Sequence, residues 1–265
     1  MRMAENRIMN LFMLMLTMLA SCSSAYQISG NSDITRLDGK TLSLKTLKEG
    51  QWVPVDSAEV VHGVFSMNGK ADTTMMVTLY FDNEGIMPIV LENGDISVSI
   101  SNQTMRATGT PLNDALYDFI QHRNAMEQQM GILNSREAQL ILEGANADYA
   151  RQMVQEEMNE LNTEINSYVR SVIASNYSNI LGPSIFMMMC SALPYPIITS
   201  EIEEVLQNAP EDFLNQEWVK DFVSKAQENM RIIEENRRMQ ENILEKHRLF
   251  LNEQRIANEN NSDKE

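Results

Sequence analysis

The spacing of apolar residues changes near residue 110, and this change constrains the fold more than any other feature of the chain. Before that point apolar and polar residues alternate, as at Leu42 and Leu44 and again at Ile96 and Val98. Such alternation is typical of strands that bury one face and expose the other. After Pro111 the apolar residues recur at helical spacing. The chain is therefore predicted to be an α+β protein, with strands first and helices second.

Residues 22–109 are predicted to form an antiparallel β-sandwich or an open barrel. Pairs of Asn-Gly or Asp-Gly, which favour tight hairpins, separate the apolar runs. These pairs are Asp38-Gly39, Asn68-Gly69 and Asn93-Gly94. Pro88 lies inside one apolar run and cannot donate a ladder hydrogen bond. Its strand is therefore predicted to lie at the edge of a sheet.

Residues 110–210 are predicted to form an all-helical region. Thr110 suits an N-cap and Pro111 suits the first helical position, where its missing N–H would have no partner. Gly131 and Gly144 weaken the helical pattern. Separate helices are therefore expected on the two sides of these glycines, at about 111–130 and 145–175.

A long amphipathic helix is predicted over residues 211–257, because no glycine or proline follows Pro210. Its length would be roughly 70 Å at 1.5 Å per residue. Residues 258–265 are polar and are predicted to be a disordered tail. Beyond Ile233 the apolar stripe of the helix thins. This pattern fits either a simple amphipathic extension or a coiled-coil seam for a partner or a second copy.

The tetrapeptide Leu19-Ala20-Ser21-Cys22 follows an apolar run that begins at Ile8, and Arg2 and Arg7 precede that run. This arrangement is similar to a bacterial lipoprotein signal, in which the cysteine is acylated and becomes the first mature residue. Residues 1–21 are therefore interpreted as a signal peptide and Cys22 as the lipidation site. The apolar run is shorter than the roughly 20 residues that span a bilayer as a helix.

The lipidation signal also implies a location. Several acyl chains on Cys22 would attach the protein to the membrane of a bacterial cell envelope. Ser23 and Ser24 stand where an aspartate retains lipoproteins at the inner membrane in well-studied bacteria. The outer membrane is therefore the expected location of the lipid anchor.

The charge and the cysteines exclude some classes of function. The formal net charge is −16, whereas nucleic-acid binding depends on clustered Lys and Arg, so no nucleic-acid partner is expected. With Cys22 lipidated, Cys190 is the one remaining thiol, and the chain has no C-x-x-C motif. Cys190 lies in an apolar run, which predicts a buried and inert thiol.

No catalytic signature is found in the sequence. His62, His122 and His247 lie far apart along the chain and have no metal-ligand spacing. The G-x-S-x-G elbow, the phosphate loop and the dinucleotide fingerprint are absent from the sequence. No catalytic, metal-binding or cofactor-binding residue is therefore predicted, and the chain is expected to be non-enzymatic.

A set of short motifs carries a resemblance to a known family. The motifs are Val55-Asp56-Ser57-Ala58, His62-Gly63-Val64-Phe65-Ser66 with Gly69, Leu91-Glu92-Asn93-Gly94-Asp95-Ile96, and Gly109-Thr110-Pro111-Leu112-Asn113-Asp114. Together they resemble the N-terminal module of Bacteroidetes lipoproteins of domain-of-unknown-function family 4369. The resemblance covers about residues 26–120 and extends weakly into the helical region at residues 176–182.

The resemblance implies a redox connection that this chain does not share. Family members often continue into a thioredoxin-like domain with a W-C-x-x-C motif, but this chain has a charged helix there. No residue here matches the redox motif, so that activity is not carried over. Asp56-Ser57-Ala58 and Asp72-Thr73-Thr74 also resemble an acceptor motif for O-linked glycans in the same bacterial group. Ser57 and Thr73 are therefore candidate glycosylation sites.

Two functional hypotheses follow from the sequence. The first is an envelope lipoprotein of the binding type, whose C-terminal helix contacts another envelope protein or its own copy. The second is an accessory or recognition component of periplasmic thiol–disulfide chemistry, acting with a separate thioredoxin-like protein. The second hypothesis rests on family analogy alone.

Overall fold

The computed structural model describes residues 25–48 and 50–262, with side chains up to Asn252. The predicted signal peptide, residues 1–21, and Cys22 lie outside the described residues. The chain divides into two compact units between Gln128 and Gln129. The first unit contains the strands, and the second contains most of the helical residues.

Within the described residues, eight strands form two four-stranded sheets that do not close into a barrel. The strands are β1 (Ala25–Ser32), β2 (Thr41–Lys48), β3 (Gln51–Glu59), β4 (Val64–Lys70), β5 (Met75–Phe81), β6 (Glu84–Leu91), β7 (Gly94–Ile100) and β8 (Met105–Thr108). The first sheet has the order β4-β1-β7-β8 and the second β3-β2-β5-β6. The predicted α+β class is confirmed, with the strands preceding the helices.

One strand pair departs from the expected antiparallel arrangement. β1 and β7 are parallel, with Ile28 opposite Ile96, whereas the other pairs of neighbouring strands are antiparallel. A parallel pair requires a long crossover connection. Here the chain between β1 and β7 supplies that connection, since it contains β4 and the whole second sheet.

Pro88 lies in β6, which is an edge strand of the second sheet, as predicted. The hairpin predicted at Asn68-Gly69 is wrong, because both residues lie inside β4. Gly69 is opposite Tyr26 in the neighbouring strand, and a Cβ at Gly69 would lie 2.6 Å from the Tyr26 hydroxyl oxygen. This glycine therefore makes room for an aromatic ring and does not form a turn.

The core of the first unit consists of the alternating apolar residues of both sheets. Each is at most 1% exposed: Ile28, Leu42, Leu44, Val77, Leu79, Ile89, Ile96, Val98 and Ile100. Complete burial of such a side chain contributes about 1.5–3 kcal/mol. The period-two pattern seen in the sequence is therefore the pattern of core contacts.

Six α-helices follow the strands in the described part of the chain. They are α1 (Pro111–Leu142), α2 (Ala147–Ser175), α3 (Leu181–Ser191), α4 (Ser200–Asn208), α5 (Glu211–Leu214) and α6 (Glu217–Ser262). The continuation of α6 to Ser262 passes the predicted start of the tail at 258, and residues 263–265 lie outside the described residues.

Only one of the two glycines expected to interrupt the first helix does so. Gly131 lies inside α1, because one exposed glycine costs a helix only about 1 kcal/mol. Gly144 has a φ of 99° and follows the end of α1. The N–H of Gly144 donates to the Ile141 carbonyl at 3.0 Å, and that of Ala145 to the Leu140 carbonyl at 2.9 Å. This pair of hydrogen bonds is a Schellman motif.

The helix predicted over residues 211–257 is divided into α5 and α6. Residues 215 and 216 separate the two helices, and the fully buried Phe213 lies just before this break. The Phe213 ring contacts Tyr177 at a centroid distance of 4.9 Å and Phe186 at 5.6 Å. We attribute the break to the insertion of Phe213 into this aromatic cluster, next to the poor helix former Asn215.

The aromatic cluster is the centre of the core of the second unit. Phe186 of α3 also lies 6.2 Å from the Trp218 ring and 6.0 Å from the Phe222 ring, both on α6. Edge-to-face ring pairs of this kind add about 0.5–1.5 kcal/mol beyond the burial of their area. No helix within residues 25–48 and 50–262 has the length and apolarity needed to span a membrane.

Replacing Gly30 by alanine should destabilise the first unit. A Cβ at Gly30 would lie 2.0 Å from the ring of Phe65, which is opposite it on β4 and 5% exposed. Displacement of this buried ring should lower the free energy of unfolding by about 1–3 kcal/mol. Urea denaturation followed by circular dichroism measures this change.

Gly131→Ala is the matched control for this substitution. No atom lies within 4 Å of a Cβ built at Gly131, so alanine should stabilise α1 by about 1 kcal/mol or less. Equal effects of the two substitutions would contradict the assigned contact between Gly30 and Phe65.

Candidate functional site

A hydrogen bond between the two sheets involves the first motif. The Tyr26 hydroxyl of β1 donates to Asp56 Oδ2 of β3 at 2.7 Å, and the Ser57 N–H donates to Asp56 Oδ1 at 2.7 Å. Burial of the phenol, together with its bond to Asp56, raises the pKa of Tyr26 to about 12. Asp56 therefore joins the sheets and also binds the local backbone.

The glycines of the same motif permit close approach of other groups. Gly63 has a φ of 76°, and a Cβ there would lie 2.7 Å from the Ser32 carbonyl oxygen. The Ser32 N–H also donates to the Gly63 carbonyl at 2.7 Å. Phe65 of the same motif is buried, and its ring covers Gly30. These motif residues thus fix the pairing of β1 with β4 and the turn at Gly63 that precedes β4.

Two residues of the last motif, Thr110 and Asn113, form what we call the helix clasp together with Glu92 and Tyr117. The side chain of Asn113 is completely buried. Its Oδ1 accepts from the Val90 N–H at 2.9 Å, and its Nδ2 donates to the Val90 carbonyl at 2.7 Å and to Thr110 Oγ1 at 2.8 Å. One amide thus satisfies the polar groups of an edge strand and fixes the start of α1.

The remaining bonds of the helix clasp complete the helix start. Glu92 Oε1 accepts from the N–H of Leu112 at 2.9 Å and from that of Asn113 at 3.2 Å, which caps α1 and places a carboxylate at its positive end. The Tyr117 hydroxyl donates to the Pro88 carbonyl at 2.9 Å, and burial raises the pKa of Tyr117. The Thr110 hydroxyl, expected to cap the helix, instead accepts from Asn113.

The motif residues are therefore engaged within the first unit. Asp56 binds Tyr26, Glu92 caps a helix, and Asn113 satisfies an edge strand. A group held by such bonds is restricted in its orientation, and the side chain of Asn113 has no exposed surface. The polar residues of these motifs consequently explain the architecture of the module.

A partly exposed aromatic group on the second sheet was not identified from the sequence. Trp52 of β3 is 50% exposed and lies edge-on to Tyr80 of β5, with ring centroids 5.4 Å apart. Lys45 Nζ of β2 lies 4.4 Å from the Tyr80 centroid, within cation–π range. Leu47 of β2 is 53% exposed and is paired with Trp52. We call Lys45, Leu47, Trp52 and Tyr80 the Trp52 patch.

The Trp52 patch has the chemistry of a contact surface. An exposed indole offers a large rigid area for packing and an N–H for hydrogen bonding. In the sequence, the two-residue spacing of Lys45 and Leu47 indicates that both lie on one face of β2. Trp52 could not be placed there without knowing the register of β3 against β2.

The predicted burial of Cys190 is confirmed. The residue is 5% exposed, and burial raises the pKa of its thiol to about 12. Within the described residues no group of three His, Cys, Asp or Glu side chains could hold a metal ion. Ser57 lies exposed on β3 and Thr73 lies exposed between β4 and β5, and glycosylation of either residue stays a prediction.

The distal part of α6 exposes a large apolar surface. Every residue from 231 to 252 is exposed except Glu234, which is partly buried. We define the α6 stripe as seven apolar side chains of this segment, which lie within less than half of the helix circumference at 3.6 residues per turn. They are Ile232, Ile233, Met239, Ile243, Leu244, Phe250 and Leu251.

Charged side chains cover the opposite side of the same helix and pair with one another. Arg231 binds Glu228 and Glu235, Arg237 binds Glu234 and Glu241, and Arg238 binds Glu234. Hydrogen bonds from Arg237 and Arg238 lower the pKa of Glu234 to about 2. The charges of this face are thus matched within the helix, and the α6 stripe has no partner among the described residues.

Asn113→Ala should destabilise the protein by about 2–4 kcal/mol, because it leaves the buried N–H and C=O of Val90 without partners. Chemical denaturation of the purified protein measures this loss. Asn102→Ala, at an exposed position, is the control and should change the stability by less than about 0.5 kcal/mol. A similar small effect for both variants would contradict the role of the helix clasp.

Cys190 should react slowly with thiol reagents in the folded protein. A pKa of about 12 leaves roughly one thiol in ten thousand ionised at pH 8, and the thiolate is the reactive form. Labelling with a chromogenic disulfide should therefore require denaturant. Rapid labelling of the native protein, with Cys190→Ser as the control for reaction elsewhere, would contradict a buried thiol.

Comparison with known proteins agrees with the geometry of the first unit. Residues 26–116 match the model of the family described as "Domain of unknown function (DUF4369)". The search of curated proteins found no match. The matched segment runs from Tyr26 of the inter-sheet bond to the beginning of α1, and so includes both groups of motif residues. The β module of this chain, residues 26–116, is thus the segment that matches the DUF4369 family model.

Proposed function

We propose that this chain is a lipoprotein of the bacterial envelope, held by its lipid in the outer membrane. It acts by binding and not by catalysis. The observation that carries the binding role is the exposed α6 stripe. Seven large apolar side chains on one helix face are unfavourable in water unless something covers them. The Trp52 patch offers a second, smaller contact surface.

The lipid anchor rests on the sequence around Cys22. Each buried CH₂ of an acyl chain contributes about 0.8 kcal/mol to membrane attachment, and more than one chain is needed for a stable anchor. The cysteine of a lipoprotein signal receives several chains. Such an anchor would hold the two units at the membrane, where their partners are confined to the same surface.

The motif residues support a binding role indirectly. Asp56, Glu92 and Asn113 are the polar residues of the family pattern with the most specific contacts, and all three hold the fold together. The pattern therefore supplies a scaffold on which contact surfaces are carried. An accessory role in thiol–disulfide chemistry is the alternative, and with Cys190 buried the reactive thiols would belong to the partner.

The anchor is tested by Cys22→Ser in cells supplied with labelled palmitate. The wild-type protein should incorporate the label, and the variant should lose it completely and accumulate as precursor. Cys190→Ser is the matched control, since it removes the other cysteine and should retain full labelling. Label in the Cys22→Ser variant, or none in the wild type, would contradict the lipid anchor.

The binding role is tested by crosslinking in intact cells followed by mass spectrometry. Capture of this chain itself or of another envelope protein would support the first hypothesis. Capture of a protein with a C-x-x-C motif would favour the thiol–disulfide alternative. A substrate-consuming activity of the purified protein would contradict a purely binding function.

A further inference from the structure

We propose that four residues of the α6 stripe, Ile232, Met239, Ile243 and Phe250, form the contact surface between two copies of this chain, which pair as a parallel two-stranded coiled coil. This inference names the partner for the binding role proposed above and rests on that proposed function. It is argued from the spacing of the stripe, the polar residues within it and the charge of the segment.

The spacing of the stripe is that of a coiled-coil seam. Ile232, Met239, Ile243 and Phe250 follow one another at steps of seven, four and seven residues. Placing Ile243 and Phe250 at position a puts Ile232 and Met239 at position d of the two preceding heptads. The other three stripe residues fall beside the seam, Ile233 at position e and Leu244 and Leu251 at position b. The seam then covers about three heptads, or roughly 30 Å of helix. The sequence alone predicts a weaker pattern, because Arg237, Gln240 and His247 then fall where a seam requires apolar residues.

The arrangement of the ion pairs supports this choice of register. With Ile243 at position a, Glu234 and Glu241 occupy position f, Arg238 position c and Arg237 position b. These positions face away from the partner in a two-stranded coil. The side chains of these three ion pairs are therefore ones that a second helix would leave in water. Glu228 and Glu235, which bind Arg231, fall at position g beside the seam.

Asn236 favours a second copy over other occupants. It falls at position a of this register, between Ile232 and Met239, and it is exposed. Its amide is both donor and acceptor, so two copies in register can bond to each other through it. A buried asparagine at position a favours two parallel strands in register. A lipid surface would leave the same amide without a partner.

The charge of the segment also agrees with self-association. Residues 228–252 contain five basic and five acidic side chains and thus have no formal net charge, although the whole chain carries −16. They are Arg231, Arg237, Arg238, Lys246 and Arg248, and Glu228, Glu234, Glu235, Glu241 and Glu245. Two copies of such a segment do not repel each other, and a strongly charged partner finds no complementary charge.

One seam position is less favourable. Lys246 falls at position d, where a coiled coil prefers an apolar side chain. A lysine can lay its apolar stem along a seam and keep its ammonium in water. The expected pair is therefore of moderate affinity. Anchoring through Cys22 would compensate, because it raises the local concentration of copies on the membrane.

The first test measures the mass of the full-length, detergent-solubilised protein by light scattering, after subtraction of the micelle. The wild type should be a dimer, and Ile243→Asp should raise the dissociation constant by roughly tenfold or more, because it buries a charge in the seam. Leu142→Asp is the matched control, since Leu142 is an apolar residue of α1 with 87% exposure outside the stripe. It should remain a dimer.

A monomeric wild type at concentrations of tens of micromolar would overturn the inference, as would equal masses of the two variants. Circular dichroism of Ile243→Asp should show a folded protein, because the substituted residue is 60% exposed and contributes little to the core. If Ile243→Asp unfolds, the comparison of Ile243→Cys with Glu245→Cys tests the coiled coil without introducing a charge into the seam.

The second test compares Ile243→Cys with Glu245→Cys in intact cells under mild oxidation. Ile243 would face its own copy at position a, whereas Glu245 lies on the opposite side of the helix. A disulfide-linked dimer should form with the first variant at least several-fold more than with the second. Cys190 contributes little background because it is buried. Equal yields, no dimer, or capture of a different protein would overturn the inference.

The two proposals fail separately. Palmitate labelling of the wild type without a dimer in detergent would support the lipid anchor and contradict the coiled coil. A dimer without palmitate labelling would support the coiled coil and contradict the lipid anchor. Both measurements are made on the same purified protein.

Discussion

The architecture of the β module depends on the buried amide of Asn113. An edge strand presents unpaired N–H and C=O groups, and these must find partners wherever they are shielded from water. Asn113 supplies an acceptor and a donor to Val90 of β6 with a single side chain. Because Asn113 lies in the first turn of α1, the same contacts determine where the helix begins. The end of the sheet and the start of the helix are thus one structural unit.

The match of residues 26–116 to the DUF4369 model coincides with a set of structural contacts. Within this segment glycines admit a ring or a carbonyl, an aspartate joins two sheets, and a glutamate caps a helix. These contacts explain the architecture of the module and leave its function to other surfaces. The Trp52 patch lies within this segment, between Lys45 and Tyr80, and the α6 stripe lies beyond Met230.

Features that depend on local periodicity were predictable from the sequence, and features that depend on distant partners were not. The change from strands to helices, the edge position of Pro88 and the burial of Cys190 follow from neighbouring residues. Asn68-Gly69 has the composition of a turn but lies inside β4, where Gly69 makes room for the Tyr26 ring. Gly131 is tolerated inside a long helix. The caps supplied by Glu92 and the position of Trp52 could not be predicted, because they depend on contacts between segments far apart in the chain.

The matched charges on α6 have a consequence for any encounter. Because Arg231, Arg237 and Arg238 find their carboxylates on the same helix, the segment is ordered without a partner. A preorganised helix loses little conformational entropy on docking, unlike a segment that folds as it binds. Because the charges are matched within the helix, any association through this surface should depend only weakly on ionic strength.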